Sequence, residues 1–159
     1  VFNGDTTPGH LLSIEAMQLA KQRLTPDGII AVNIVGSLKR NNMMTASAVK
    51  TLEEVFDHVA IFPTFDPAVG DGTGNLEIIA YDGELRSMQL TRVNDLAVHP
   101  QAQRGVALGI RRAPFVFPEH TPAMVLTDNY NPMDFYDLQL KEAVRKGIID
   151  STDFDILIG

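Results

Sequence analysis

The chain has 159 residues, 45% of them apolar and 21% charged, which matches one globular domain with a real core. It contains no cysteine, which excludes disulfides, thiolate nucleophiles and zinc–cysteine sites. Thirteen Lys and Arg stand against 20 Asp and Glu, a net charge of −7 that repels nucleic-acid phosphates and suits a cationic small molecule better.

No apolar run approaches the roughly 20 residues that span a bilayer, so no membrane association is expected. The chain opens on Val1 rather than Met. It is therefore read as a single domain over residues 1–159, taken from a longer protein.

Residues 1–10, VFNGDTTPGH, are rich in Gly, Asp, Thr and Pro and read as a loop. Ser13 can cap the helix that follows, with Glu15 in its first turn and Ala16, Met17, Ala20 and Leu24 at helical spacing. Thr25-Pro26-Asp27-Gly28 ends it. GIIAVNIVG, residues 28–36, is a near-continuous apolar run that predicts a strand buried on both faces, as in a parallel sheet. A second helix is predicted from about Thr45 to His58, its stripe formed by Ala48, Val49, Leu52, Val55 and Phe56. VAIFPTF then predicts a strand closed by Pro63, residues 66–75 a loop, and NLEIIAYDG, residues 75–83, another strand.

Strands alternating with helices predict an α/β fold with a mostly parallel sheet. The last two strands have no helix between them and are expected to form an antiparallel terminal hairpin. That combination is the C-terminal half of the Rossmann-like class I methyltransferase fold. Residues 86–122 are less patterned, with one helix expected around Asn94–Arg111 and a basic patch at Arg104, Arg111 and Arg112. A last helix is predicted from Pro132 to Lys146, with Phe135, Leu138 and Val144 apolar and Gly147 as its C-cap. DFDILIG closes the chain as an edge strand or docked extension.

Chemistry could sit in three of these segments. Asp5 and its neighbours precede a helix, where open α/β sheets bind ligands, although a plain turn capped by Asp5 is the simpler reading. Gly70-Asp71-Gly72-Thr73-Gly74 precedes a strand rather than a helix, so it reads as a hairpin connection or lid and not as a phosphate cradle. In LTDNYNPMD, residues 126–134, Asn131 as N-cap and Pro132 at the first helical position leave Asp128 and Tyr130 unexplained. His10, His58, His99 and His120 are dispersed without helical pairing, so no metal site is expected. Neither a Gly-x-Ser-x-Gly elbow nor a Ser-His-Asp triad is suggested.

VFNGDTTPGHLL followed by a helix and LTPDGIIAVNI resembles the active-site loop and next strand of the spermidine synthases, especially the bacterial spermidine synthase-like proteins. Pro63-Thr64-Phe65 is similar to the family's Pro-Thr-Tyr, and LTDNYNP at 126–132 to its Leu-Thr-Asp-Asp-Tyr-x-Pro element. The resemblance implies a polyamine aminopropyltransferase. Such an enzyme moves an aminopropyl group from decarboxylated S-adenosylmethionine to a small-molecule diamine such as putrescine, with no metal. It implies that Asp5 matches the second loop carboxylate, which binds the amine, or here serves as the catalytic base. Pro8 and Gly9 would lie against the nucleoside. His10 stands where the spermidine synthase-like branch carries histidine. Phe65 would line the diamine pocket in place of a tyrosine, and Asp128 and Tyr130 would form the pocket rim or a dimer contact. The family's first loop aspartate and its nucleoside-binding half would fall before Val1. The resemblance makes a homodimer an expectation, and the missing membrane segment, with the metabolites that the resemblance implies, points to a cytoplasmic location. The alternatives are an S-adenosylmethionine-dependent methyltransferase on the same fold and a degenerate, non-catalytic polyamine-binding domain.

Overall fold

The computed structural model describes residues 9–84 and 114–133 without a break, together with scattered positions between 95 and 107 and between 135 and 150. A single 3-10 turn, Gly9–Leu12, leads into helix α1, Ile14–Lys21. Strand β1 is Ile30–Ser37, helix α2 Met43–Glu53, strand β2 His58–Pro63 and strand β3 Thr73–Tyr81. No helix among the described residues is long and apolar enough to cross a membrane.

The three strands form one sheet in the order β1-β3-β2, with β3 antiparallel to both neighbours. The predicted terminal hairpin is present: Ile61 faces Ile78 and Pro63 faces Leu76. The predicted parallel pairing is not. β1 and β2 run in the same direction, but β3 lies between them, so every strand pairing in the described sheet is antiparallel. The reason lies in β3, the longest strand at nine residues. Its Leu76, Ile78 and Ala80 are all fully buried, and the centre of a sheet covers both of a strand's edges.

The core face carries Val32 and Ile34 from β1, Leu76, Ile78 and Ala80 from β3, and Val59 and Ile61 from β2, in register. The opposite face is only partly covered, which corrects the expectation that β1 is buried on both sides. Ala31 and Asn33 are exposed, and Asn33 Nδ2 donates to Glu77 Oε1 on the neighbouring strand at 2.5 Å. An amide and a carboxylate facing each other suit a wet surface.

Helix α2 packs Ala48, Val49 and Leu52 into the core, as its stripe predicts, and Phe56, just past its end, joins them. The helix ends at Glu53, however, and His58 opens β2 instead of closing the helix. Met44 to Val49 are buried without interruption, because a second layer covers the side turned away from the sheet. That layer is the extended segment 115–126. Phe115 N–H donates to Ile61 O at 2.8 Å, which fixes the segment beside β2. Met124 N–H donates to Ser47 Oγ at 3.0 Å and Leu126 N–H to Thr51 Oγ1 at 2.9 Å. Each hydroxyl in turn donates to a carbonyl one helical turn back, Ser47 to Met43 and Thr51 to Ser47. These two residues carry the hydroxyls that an extended chain, unable to pair with a helix backbone, needs as acceptors.

Helix α1 starts at a Ser13 cap whose Oγ accepts from Ala16 N–H at 3.2 Å. It ends three residues before the predicted Leu24. At its last turn Lys21 Nζ reaches Asp82 Oδ2 at 2.8 Å and also donates to the Val55 carbonyl, tying α1 to the ends of α2 and β3. Pro100, Gln103, Arg104 and Ala107 are helical, in line with the helix expected there. Met133, Phe135, Leu138, Glu142, Arg145 and Lys146 are helical as well. So are Ile149 and Asp150, so helical backbone recurs past the predicted stop at Gly147. Phe135 and Leu138, two of the apolar positions of the predicted last helix, are exposed. Arg111, Arg112, Val144 and the closing DFDILIG lie outside the described residues.

Candidate functional site

Leu126 is fully buried and accepts at its carbonyl from Ile14 N–H, at the start of α1, at 2.8 Å. The chain leaves this anchor into a tight turn. Thr127 and Tyr130 exchange both backbone hydrogen bonds at 3.1 Å, and Thr127 Oγ1 also accepts from Tyr130 N–H at 3.0 Å. Asp128 and Asn129 therefore form the tip of the turn. The tip is fastened to α1, since Asp128 N–H donates to Glu15 Oε2 at 3.0 Å. Beyond the turn, Asn131 Nδ2 donates to Gly9 O at 2.6 Å while Asn131 Oδ1 accepts from Met133 N–H at 3.3 Å. The second of these is the cap expected of Asn131. The first joins two segments 122 residues apart.

Between these segments opens a cleft of about 740 Å³, lined by Gly9, His10, Glu15, Leu19, Asp128 and Asn131, among others. The structure thus brings Gly9, His10 and Asp128, three of the residues singled out from the sequence, to one place. Two carboxylates, Glu15 and Asp128, face one concavity at the start of a helix. Gly9 is buried. A Cβ there would stand 3.3 Å from Asn131 Oδ1 and 3.4 Å from Met133 Cβ, so the missing side chain lets the 131–133 segment approach.

The other candidates lie elsewhere. Tyr130 is 61% exposed and is not among the residues lining the cleft. Phe65 follows β2, half-buried against the core, and its ring fills the space over Gly74, where a Cβ would come within 2.5 Å. It is not among the lining residues either. Asp5 and Pro8 lie outside the described residues.

The glycine-rich loop behaves as the hairpin connection expected of it. Asp66 Oδ1 accepts from Ala68 N–H at 2.9 Å and Asp71 Oδ1 from Thr73 N–H at 3.0 Å. Lys39 Nζ spans it, donating to Ala68 O and Gly70 O. Among the described residues, no group of three or more His, Asp and Glu is placed to hold a metal ion.

Glu15 and Asn131 are the two site residues that the sequence reading assigned only local roles. Each does fill its local role, as a first-turn acid and as a cap. Their longer-range contacts depend on the docking of 126–133 against α1, which no local pattern records.

No family model and no curated protein matches the chain. Among solved structures, the chain is similar to a probable spermidine synthase from Corynebacterium glutamicum ATCC 13032. The identity is 22%, the match covers 75% of this chain and 46% of that one, and the TM-score is 0.46. The chain therefore spans about half the length of that protein. At this identity and score, the likeness decides nothing about activity.

Proposed function

We propose that this chain supplies the amine-acceptor side of a polyamine aminopropyltransferase of the spermidine synthase type. The observation that supports this reading is the junction of the two resembling motifs. GHLL, the described end of the first motif, together with Glu15 of the helix after it, is joined to LTDNYNP by the Asn131–Gly9 and Asp128–Glu15 hydrogen bonds around a cleft that carries two carboxylates.

The chemistry suits such a cleft. A diamine at neutral pH is a dication, and aminopropyl transfer requires one of its nitrogens to be neutral while the other is held. Glu15 spends part of one oxygen on Asp128 N–H; a carboxylate has about four acceptor sites, so it keeps capacity for an ammonium. Asp128, at the turn tip, supplies the second charge. Asn131 is occupied at both ends of its amide and positions the walls. Asp5, four residues before Gly9, would take the proton from the attacking nitrogen. Pro8 and Gly9 would flank the nucleoside of decarboxylated S-adenosylmethionine. In the step itself the amine nitrogen forms a bond to the carbon next to the sulfonium. The carbon–sulfur bond breaks and methylthioadenosine leaves. Holding the two reactants in line is the main contribution asked of the protein.

The test has two parts. Calorimetry of this chain with putrescine should show binding that Glu15→Gln and Asp128→Asn each weaken. Chromatography should then detect methylthioadenosine when the protein carrying this chain meets putrescine and decarboxylated S-adenosylmethionine. Putrescine binding without methylthioadenosine release would favour the non-catalytic polyamine-binding domain. Absence of putrescine binding would reject the reading outright.

A further inference from the structure

The segment 115–124 is tied down at both ends. Phe115 pairs with Ile61 at the edge of β2, and Met124 is held by Ser47 of α2. Between the tethers it turns at Pro118–Thr121, where Thr121 N–H donates to Pro118 O at 2.9 Å, and stands off from the helix. The space left is a hollow of about 420 Å³, separate from the cleft described above. Its walls are Val49 of α2, Val59 and Ile61 of β2, and the rings of Phe115 and Phe117. The two rings meet edge-to-face at 5.1 Å, a geometry that fixes both.

Glu53, Glu54 and Glu119 also line this hollow, against one cation, Lys50. Among the described residues, no ion pair within 4.0 Å joins Lys50 to any of the three. The local formal charge is −2 over an apolar floor.

We infer that this hollow is a binding site for a small amphipathic organic cation, an arylalkylammonium whose ring lies on the apolar floor and whose nitrogen sits among the three carboxylates. Charge complementarity selects the cation, and the two phenylalanines and three aliphatic walls select the apolar body. The tethers keep the walls apart without a ligand, which lowers the ordering cost of binding. The electrostatics of Glu53 agree: partial desolvation first, and then the adjacent Glu54 charge, raise the carboxyl of this otherwise exposed residue above the ordinary 4.5, with Lys50 opposing. A bound ammonium would offset the Glu54 repulsion.

The experiment is a methyl-NMR titration of the full chain with 3-phenylpropylammonium, beside the neutral 3-phenylpropanol. The ammonium should shift the methyls of Val49, Val59 and Ile61 and saturate. The alcohol should bind about tenfold more weakly, the factor set by about 1.4 kcal/mol of lost charge attraction. The three glutamates are exposed, so the triple variant E53Q/E54Q/E119Q keeps the fold. It should bring the ammonium's affinity down to that of the alcohol, while Lys50→Met should tighten it severalfold. Equal affinities of ammonium and alcohol, indifference to both variants, or shifts confined to residues outside the hollow would each overturn the assignment. None of these outcomes bears on putrescine binding in the cleft of Glu15 and Asp128.

Discussion

Glu15 and Asp128 show how one side chain can serve structure and ligand together. The Glu15 carboxylate holds the turn by accepting from Asp128 N–H and still faces the cleft. Its replacement by glutamine keeps an acceptor for that N–H and removes the charge. Glu15→Gln and Asp128→Asn should therefore each weaken putrescine binding about tenfold while moving the melting temperature little, as calorimetry and thermal melts would show. Phe65→Tyr provides the contrast. Its ring packs over Gly74 and not among the cleft-lining residues, so adding a hydroxyl there should leave putrescine affinity within about twofold.

Asp82 makes a different prediction at the same scale. The hydrogen bond from Lys21 is the largest cause holding its carboxyl below the ordinary 3.8, helped by Asp57 N–H and the charges of Lys21 and His58 and opposed by desolvation. A carboxyl lowered in the folded state favours folding above its unfolded value. That contribution is lost as pH falls through the lowered value. Urea melts of the parent and Asp82→Asn should thus differ at pH 6 and converge once the pH has fallen below the lowered value. With side-chain exposures of 39% and 35%, the difference at pH 6 should stay near or below about 1 kcal/mol.

At the scale of elements, the decisive relation is between α2 and the extended strip that covers it. Thr51 Oγ1 is the acceptor for the buried Leu126 N–H, and Leu126 is the anchor from which the cleft's turn departs. Thr51→Val keeps the shape and removes the acceptor. It should cost about 1–3 kcal/mol in chemical denaturation, the range for a buried donor left without a partner. It should also weaken putrescine binding although Thr51 is not among the residues lining the cleft. Asn131 is the second fastening. Without its amide the Gly9 carbonyl loses the donor that ties it to the 131–133 segment, so Asn131→Ala should speed amide hydrogen exchange across residues 9–12 by about tenfold, read by NMR.

The elements themselves were largely legible from hydrophobic period and turn chemistry. Ser13, the α2 stripe and the β2–β3 hairpin all appear near their predicted places. Local pattern could not set the strand order. An apolar strand reads the same whether its neighbour runs parallel or antiparallel, and only competition for the centre of the sheet put β3 between β1 and β2.

Over the whole molecule, a net charge of −7 sets a field that attracts cations from a distance and is screened by salt. Putrescine binding in the cleft should weaken steadily in calorimetry as sodium chloride rises from about 20 to about 200 mM, because the Debye length shortens from about 20 Å to below 10 Å. The amino-acid sequence by itself determined the mixed α/β composition, the acidic balance, the absence of cysteine chemistry and the residue types of both motifs. These properties are local or additive, and reading residues in order recovers them. Tertiary structure alone decided that residues 9 and 131 touch, that Glu15 belongs to the cleft while Phe65 stands apart from it, and that a second, apolar hollow opens beside α2. Each of those facts depends on which donor finds which distant acceptor, and hydrogen bonds between residues 75 to 122 positions apart leave no periodicity in the chain that makes them.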